Sequence, residues 1–372
     1  MNTTKTIPSL NGIRALCIIL VIGSHANRAA NFPLQIEHTW NYFFNGSLGV
    51  NIFFVLSGFL ITFLLLKEEK EKKYISLTNF YVRRILRIFP VYYLLLTVYA
   101  FLQFAGIVHI PLAHWISSVT YTKNYGHGSW IDGHLWSLAV EEQFYLIWPI
   151  IFKYLPQKNR IQFAVFVICL CPLMRVVAYK YLNNESTNLP LFSNMSFFTN
   201  MDSLMTGCLA AIYLPQLTRI LNKFNQTKIR LSALLIIFTI WYLQLNFIAG
   251  LFTLPLGRTL TNVSAVILII SFGFFQHGPG FRFLNLKALN YLGVLSYSIY
   301  IWQQMFFANE LGNFSKLPFN YLFIFLTAIA SYHLVEKPVL KLKNRFNAKK
   351  IRRIAIPRIK RLNSENTLIV EE

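Results

Sequence analysis

Charge is scarce in this sequence: only 13% of its 372 residues are Asp, Glu, Lys or Arg, about half the share of a soluble domain. Acidic residues are scarcest, 14 against 35 Lys and Arg for a net charge of +21. Such an excess suits nucleic acid, yet these charges fall between apolar runs and form no basic face among aromatic stackers. Cysteine is limited to Cys17, Cys169, Cys171 and Cys208, all inside apolar runs, which argues against a disulfide framework and says little about compartment. The histidines are scattered without ligand spacing, so no metal site is expected. No linker-like stretch and no repeat of fixed period divides the chain.

What is abundant is apolar surface. Hydrophobic residues make up 55% of the chain, and runs of roughly 20, the length that crosses a hydrocarbon core, recur from end to end. The sequence predicts an all-α polytopic membrane protein of about ten transmembrane helices. They fall near residues 10–27, 48–66, 84–107, 136–153, 161–181, 199–214, 231–249, 256–275, 289–309 and 317–335. The first run holds Arg14 and many spans follow it, so it is read as a retained helix and not as a secretory signal.

Threading the chain with its N-terminus inside gathers Lys5, the cluster from Lys67 to Arg87, Lys153 to Arg160, Arg219 to Arg230, Arg282, Lys287 and the tail from Lys337 on one face. Only Arg28, Lys123, Lys180, Arg258 and Lys316 fall in or beside opposite segments. The positive-inside rule then makes both termini cytoplasmic. Residues 337–372 read as a basic cytoplasmic tail, partly amphipathic or disordered, resting on anionic lipid.

An ionisable side chain within a span costs roughly 3 kcal/mol on insertion scales, which makes each one a functional candidate. The first helix has two. Arg14 and His25 lie eleven positions apart, about 1100° of helix, so they share one face at depths differing by about 16 Å. In the orientation above Arg14 sits in the cytoplasmic half and His25 in the outer half. The competing explanation is a snorkelling arginine and an interfacial histidine.

A second constellation opens the fourth helix, where His134, Ser137 and Glu141 at i, i+3 and i+7 form a stripe. Glu141 and Glu142 precede an apolar run, and a favourable helix dipole, worth under about 1 kcal/mol, is too weak to excuse burying them. In the run from Gly49 to Phe59, Ser57 and Gly58 are small enough to admit a slender ligand, or simply another helix. Arg83, Arg84 and Arg87 stand where the third helix begins, placed to bind a phosphate-rich ligand bidentately or to touch lipid phosphates.

These segments together resemble the acyltransferase family 3 membrane proteins. The likeness covers most of the chain: the Arg-x10-His spacing is met by Arg14 and His25, Phe-Phe-x-x-Ser-Gly by Phe53 to Gly58, Arg-Arg-x-x-Arg-Ile-x-Pro by Arg83 to Pro90, and Trp-Ser-Leu-x-x-Glu-x-x-Phe-Tyr by Trp136 to Tyr145. Later, Ser296 to Trp302 and Glu336-Lys337-Pro338 represent the C-terminal pattern. The chain departs from the family at Asn51, often Asp, and at Gln303, Gln304 and Met305, where a His and a Pro often follow the tryptophan. It departs again before Asp202, where Asn200 and Met201 replace a frequent Arg.

The resemblance implies that residues 1–336 form the family's transmembrane domain. It implies an enzyme of the bacterial inner membrane that moves an acyl group, often acetyl, from cytoplasmic acyl-CoA to a carbohydrate hydroxyl. On this reading Arg14, Arg83, Arg84, Arg87, Ser57 and Gly58 hold acyl-CoA. His25 is the general base, oriented or charged by Glu141, with an acyl-His intermediate as the covalent alternative. His134, Ser137, Glu142, Tyr145, Asn51, Asp202 and Trp302 are further candidates. Some members append an extracytoplasmic esterase-like domain; the sequence shows none, so the acceptor is expected to meet the membrane domain itself. Lipopolysaccharide, exopolysaccharide, peptidoglycan and small glycosides all suit this core. The rival reading is a transporter or flippase of a glycan or lipid, although the candidate residues crowd into the first 145 positions instead of repeating in two halves. A scaffolding protein would have no need for intramembrane Arg, His and Glu.

Overall fold

The structure, a computed structural model, describes residues 7, 9–126, 129–182 and 195–341. Ten helices dominate it: α1 (Leu10–His25), α2 (Gly46–Lys72), α3 (Leu77–Phe104), α4 (Leu135–Tyr154), α5 (Gln157–Leu182), α6 (Phe197–Ile212), α7 (Gln226–Leu245), α8 (Arg258–Phe274), α9 (Lys287–Phe306) and α10 (Phe319–Ser331). No β-strand occurs among the described residues. Each expected segment falls on one of these helices. The tail beyond residue 341 lies outside the described residues.

Boundaries differ most where helices extend past their apolar stretch. α2 continues through Lys72 because Lys67–Glu71 and Lys72–Glu68 pairs, at 3.8 and 3.0 Å, support its charged last turns. α3 starts at Leu77, with Ser76 as its N-cap accepting from the Asn79 amide. Hydropathy carries no signal for such extensions. Short pieces such as Glu37–Asn41, Leu112–Val119 and Trp130–Gly133 escape a reading tuned to spans for the same reason.

By length and composition seven helical stretches can cross a membrane, or eight if α6 is joined across a 79° bend to Leu214–Leu221. The expectation of about ten rested on apolar runs alone. α4 and α9 fall short because they carry polar groups inward: Ser137, Glu141 and Glu142 on one, Ser296, Ser298, Gln303 and Gln304 on the other. The chain is an all-α, multi-pass integral membrane protein.

α1 packs chiefly against α9 and α2, α2 against α6, and α6 in turn against α5 and α8. Four polar pairings run in register along α1 and α9, so the two helices point the same way. Asn285, just before α9, exchanges bonds with Ser9 at the start of α1, and Asn11 donates to Asn290 Oδ1 at 2.6 Å. Farther along, Arg14 Nε donates to Ser296 Oγ at 3.2 Å and His25 Nδ1 meets Gln303 Oε1 at 2.7 Å. The approach depends on Gly293, where an added Cβ would lie 1.9 Å from the Asn11 carbonyl oxygen.

Gly293→Ala should therefore cost about 1–3 kcal/mol of stability by overpacking, read as a lowered thermal transition in detergent. Gly250→Ala, with nothing within 4 Å of the new methyl group, should leave the transition in place.

Candidate functional site

Two chambers flank the middle of α1. The first, about 230 Å3, is lined by Arg14, by Arg84 and Arg87 of α3, by Ser57 of α2, and by Ser137, Glu141 and Tyr145 of α4. Three guanidinium groups face one carboxylate, so this chamber suits an anionic ligand. Glu141 accepts from Ser57 Oγ at 2.7 Å, and Arg84 stands 5.0 Å over the Tyr145 ring. That leaves Arg14 and Arg84 to offer remaining donors to a ligand.

The second chamber, about 620 Å3, holds His25, His134, Trp130, Trp136, Trp241, Asn41, Asn45 and Gln244 among its walls. The Gln303 amide meets His25 Nδ1 at 2.7 Å; with Oε1 toward the ring, an Nδ1–H donates to the amide and Nε2 is the basic nitrogen. Trp130 meets the imidazole edge-on at 5.2 Å between centroids. Gln304 Oε1 accepts the His134 amide at 2.6 Å, and His134 Nε2 bonds the Ile301 carbonyl at 3.0 Å. Both consecutive glutamines of α9 thus steady a histidine of this chamber.

Trp130 is itself held by a loop device. Lys123 and Asp132 form an ion pair with side chains only 1% exposed, and Ser129 donates to the same carboxylate at 2.9 Å. Burial pulls the Lys123 ammonium below the ordinary lysine range, against the opposing pull of Asp132. Lys123 also lines the His25 chamber.

A family model described as an acyltransferase domain matches residues 7–334. The chain belongs to acyltransferase family 3. It is 30% identical over 368 residues to a Bacillus subtilis protein named "Putative peptidoglycan O-acetyltransferase YrhL", covering 90% of this chain and 55% of that one. It is 28% identical over 378 residues to the O-acetyltransferase OatA of Staphylococcus aureus, covering 92% and 58%. It is 26% identical over 318 residues to the peptidoglycan O-acetyltransferase OatA of Listeria monocytogenes, covering 80% and 49%. The chain thus spans about half the length of the curated relatives it matches. No solved structure matches it.

Within this family member the expected stripe on α4 is real and joins the chambers: His134 lines one, Ser137 and Glu141 the other. The expected pairing of Glu141 with His25 is not formed. Glu141 is bound to Ser57, and the imidazole's partner is the amide of Gln303. Gly58 also departs from the expectation of a ligand contact, since an added Cβ would sit 1.9 Å from the Leu204 carbonyl oxygen of α6. It serves helix packing, while its neighbour Ser57 faces the chamber. Arg83 lies outside the chamber lining and pairs with Glu68 at 3.1 Å. Glu142 and Trp302 line neither chamber, the first part-buried and the second buried.

Asn51 and Asp202 meet in a separate buried network. Asn51 donates to Asn262 Oδ1 at 2.8 Å, Asn262 donates to Asp202 at 3.2 Å, and Arg175 of α5 forms an ion pair with that same carboxylate oxygen. Arg175 went unnoticed in sequence although it lies within an apolar run, where the reasoning that singled out Arg14 applies equally. Gln303, Trp130, Lys123 and Asp132 had no comparable signal: Gln303 stood out only as a departure from the family pattern, and the other three lie outside the spans.

Gln303→Leu removes the hydrogen-bond partner of His25 Nδ1. If His25 is a catalytic base and an acyl donor occupies the Arg14 chamber, turnover should fall by about ten- to a hundredfold, with KM for that donor within about twofold. Steady-state assay in membrane vesicles reads the split, and a rise in KM alone would speak against the assigned role.

Proposed function

We propose that the chain is a membrane-embedded O-acyltransferase that carries an acyl group, acetyl first among candidates, from cytoplasmic acyl-CoA to a hydroxyl of a cell-surface carbohydrate. The observation that carries this reading is the pairing of a guanidinium-lined chamber at Arg14 with an aromatic and amide-lined chamber at His25. Excess Lys and Arg on one face supports an orientation with both termini cytoplasmic and the Arg14 chamber inward. The phosphates of acyl-CoA then bind near Arg84 and Arg87, and the pantetheine arm runs past Arg14 toward the chamber boundary. Trp130, Trp136 and Trp241 offer faces for a sugar ring, and Asn41, Asn45 and Gln244 offer hydrogen bonds to its hydroxyls. The relatives' names favour peptidoglycan as acceptor, and the long apolar helices suit the bacterial cytoplasmic membrane as location.

In the proposed reaction the acceptor O–H gives its proton to His25 Nε2 as its oxygen attacks the thioester carbonyl. Collapse of the tetrahedral adduct breaks the carbon–sulfur bond and releases the CoA thiolate, which takes the proton back from the imidazolium. One ester forms and one thioester is lost. No side chain is consumed, and Gln303 keeps Nδ1 protonated throughout.

His25→Ala should lower transfer by about 10²–10⁴-fold while the protein accumulates normally in the membrane. Mass spectrometry of cell-wall glycans with and without the protein reads the lost acyl increment and identifies the acceptor; near-normal acylation by the variant would sink the assignment. Arg14→Ala should instead weaken binding of a non-reactive acyl-CoA analogue by about tenfold or more, measured by titration of the purified protein. A transporter would keep moving its cargo when only His25 is removed.

A further inference from the structure

The two chambers share part of their walls. Val50 of α2 and Tyr300 of α9 line both, and the two residues are 8% and 7% exposed. Tyr300 is fixed at its far end: its hydroxyl donates to the His134 carbonyl at 3.0 Å and contacts Ser137 Oγ at 2.5 Å. The phenol ring is thereby latched to the start of α4, between a residue of one chamber and a residue of the other. Val50, the other residue common to both linings, has a β-branched side chain with little rotamer freedom in a helix.

We infer that Val50 and Tyr300 form a septum between the chambers and that the gap between them selects the acyl group by its girth, admitting unbranched chains and rejecting branched ones. This rests on the acyl-transfer reading. If guanidinium groups anchor the donor in the Arg14 chamber, the acyl end is the part that must pass the septum to meet a hydroxyl activated by His25. An unbranched chain presents the same cross-section whatever its length, whereas a methyl branch beside the carbonyl widens it. Neither side of the wall yields easily. Moving Tyr300 strips its hydroxyl of both partners, and Val50 cannot rotate away from the gap without entering a disfavoured rotamer.

The test uses the full-length protein in membrane vesicles supplied with acetyl-, n-butyryl- or isobutyryl-CoA, the last two being isomers of equal size and different girth. Val50→Ala should raise isobutyryl transfer relative to acetyl by about tenfold and leave the butyryl-to-acetyl ratio near the wild-type value. Comparison between variants cancels the lower intrinsic reactivity of the branched thioester. Tyr300→Phe, which keeps the ring and loses the latch, should move isobutyryl transfer in the same direction and carries the test if Val50→Ala is poorly folded. Val21→Ala, which thins the wall of the His25 chamber alone, should leave the ratios unchanged. An isobutyryl share unchanged in both septum variants, an equal gain in Val21→Ala, or an equal gain for both isomers would overturn the inference. Failure of the wild-type protein to use any CoA thioester would instead overturn the acyl-transfer reading.

Discussion

The polar seam between α1 and α9 is the interaction on which the rest of the structure depends. α1 carries an arginine and a histidine through an apolar environment, and neither is tolerable there without partners. α9 supplies them in sequence, Ser296 for Arg14 and Gln303 for His25, after Asn285 and Asn290 have set the register at Ser9 and Asn11. Each such bond contributes only about 1 kcal/mol net, but leaving its donor or acceptor buried and unpaired costs about 1–3 kcal/mol. Register is therefore enforced by the cost of error more than by the gain from each pairing. Because the helices run parallel, a shift of one turn would break all four pairings together. Gly293 makes the close approach possible, so steric and polar constraints select the same alignment.

That seam also explains which parts of the site were legible in the sequence. Arg14 and His25 stood out because charge inside an apolar run is expensive, and helix geometry alone placed them on one face. Glu141 stood out for the same reason, but cost does not identify a partner. Two polar residues that each need satisfying look like a natural pair until the backbone shows that Ser57 lies beside Glu141 and Gln303 beside His25. Gln303 is neutral and carried no comparable warning, although its amide is the hydrogen-bond partner of the imidazole. Gly58 was ambiguous in principle, since a ligand and a neighbouring helix need the same missing side chain. Helix existence was read well because hydrophobic length is a strong signal. Helix ends were read less well, because charged extensions past the apolar stretch carry no hydropathy signal.

A second polar centre gathers buried charge away from both chambers. Arg175, Asp202, Asn262 and Asn51 draw α5, α6, α8 and α2 together, and neither Asp202 nor Asn51 reaches either chamber. Asn51 accepts a further bond from Ser203 Oγ at 2.5 Å. The residue beside it, Val50, lines both chambers. The network thus holds α2 against α6 at the level where the chamber wall is built, and its effect on the site is positional. It gives Asn51 and Asp202 a physical role without requiring either to touch a substrate.

Two chambers in place of one open channel follow from the same physics. On the proposed acyl-transfer reading, a donor from one side of the membrane and an acceptor from the other must meet, whereas the membrane must not leak ions through the meeting point. Apolar and tightly packed constrictions exclude water, and a chain of water is what ions and protons require. Val50 and Tyr300 supply such a constriction between the cationic walls near Arg14 and the amide and aromatic walls near His25. The charged groups on either side can then remain accessible to their own chamber without forming a continuous polar path. Both histidines and Gln304 line one chamber, whereas Arg84 and Arg87 of α3 line the other, and Tyr300 lies on α9 between Ser296 and Gln303. The helix that satisfies α1 is thereby the helix that divides the interior.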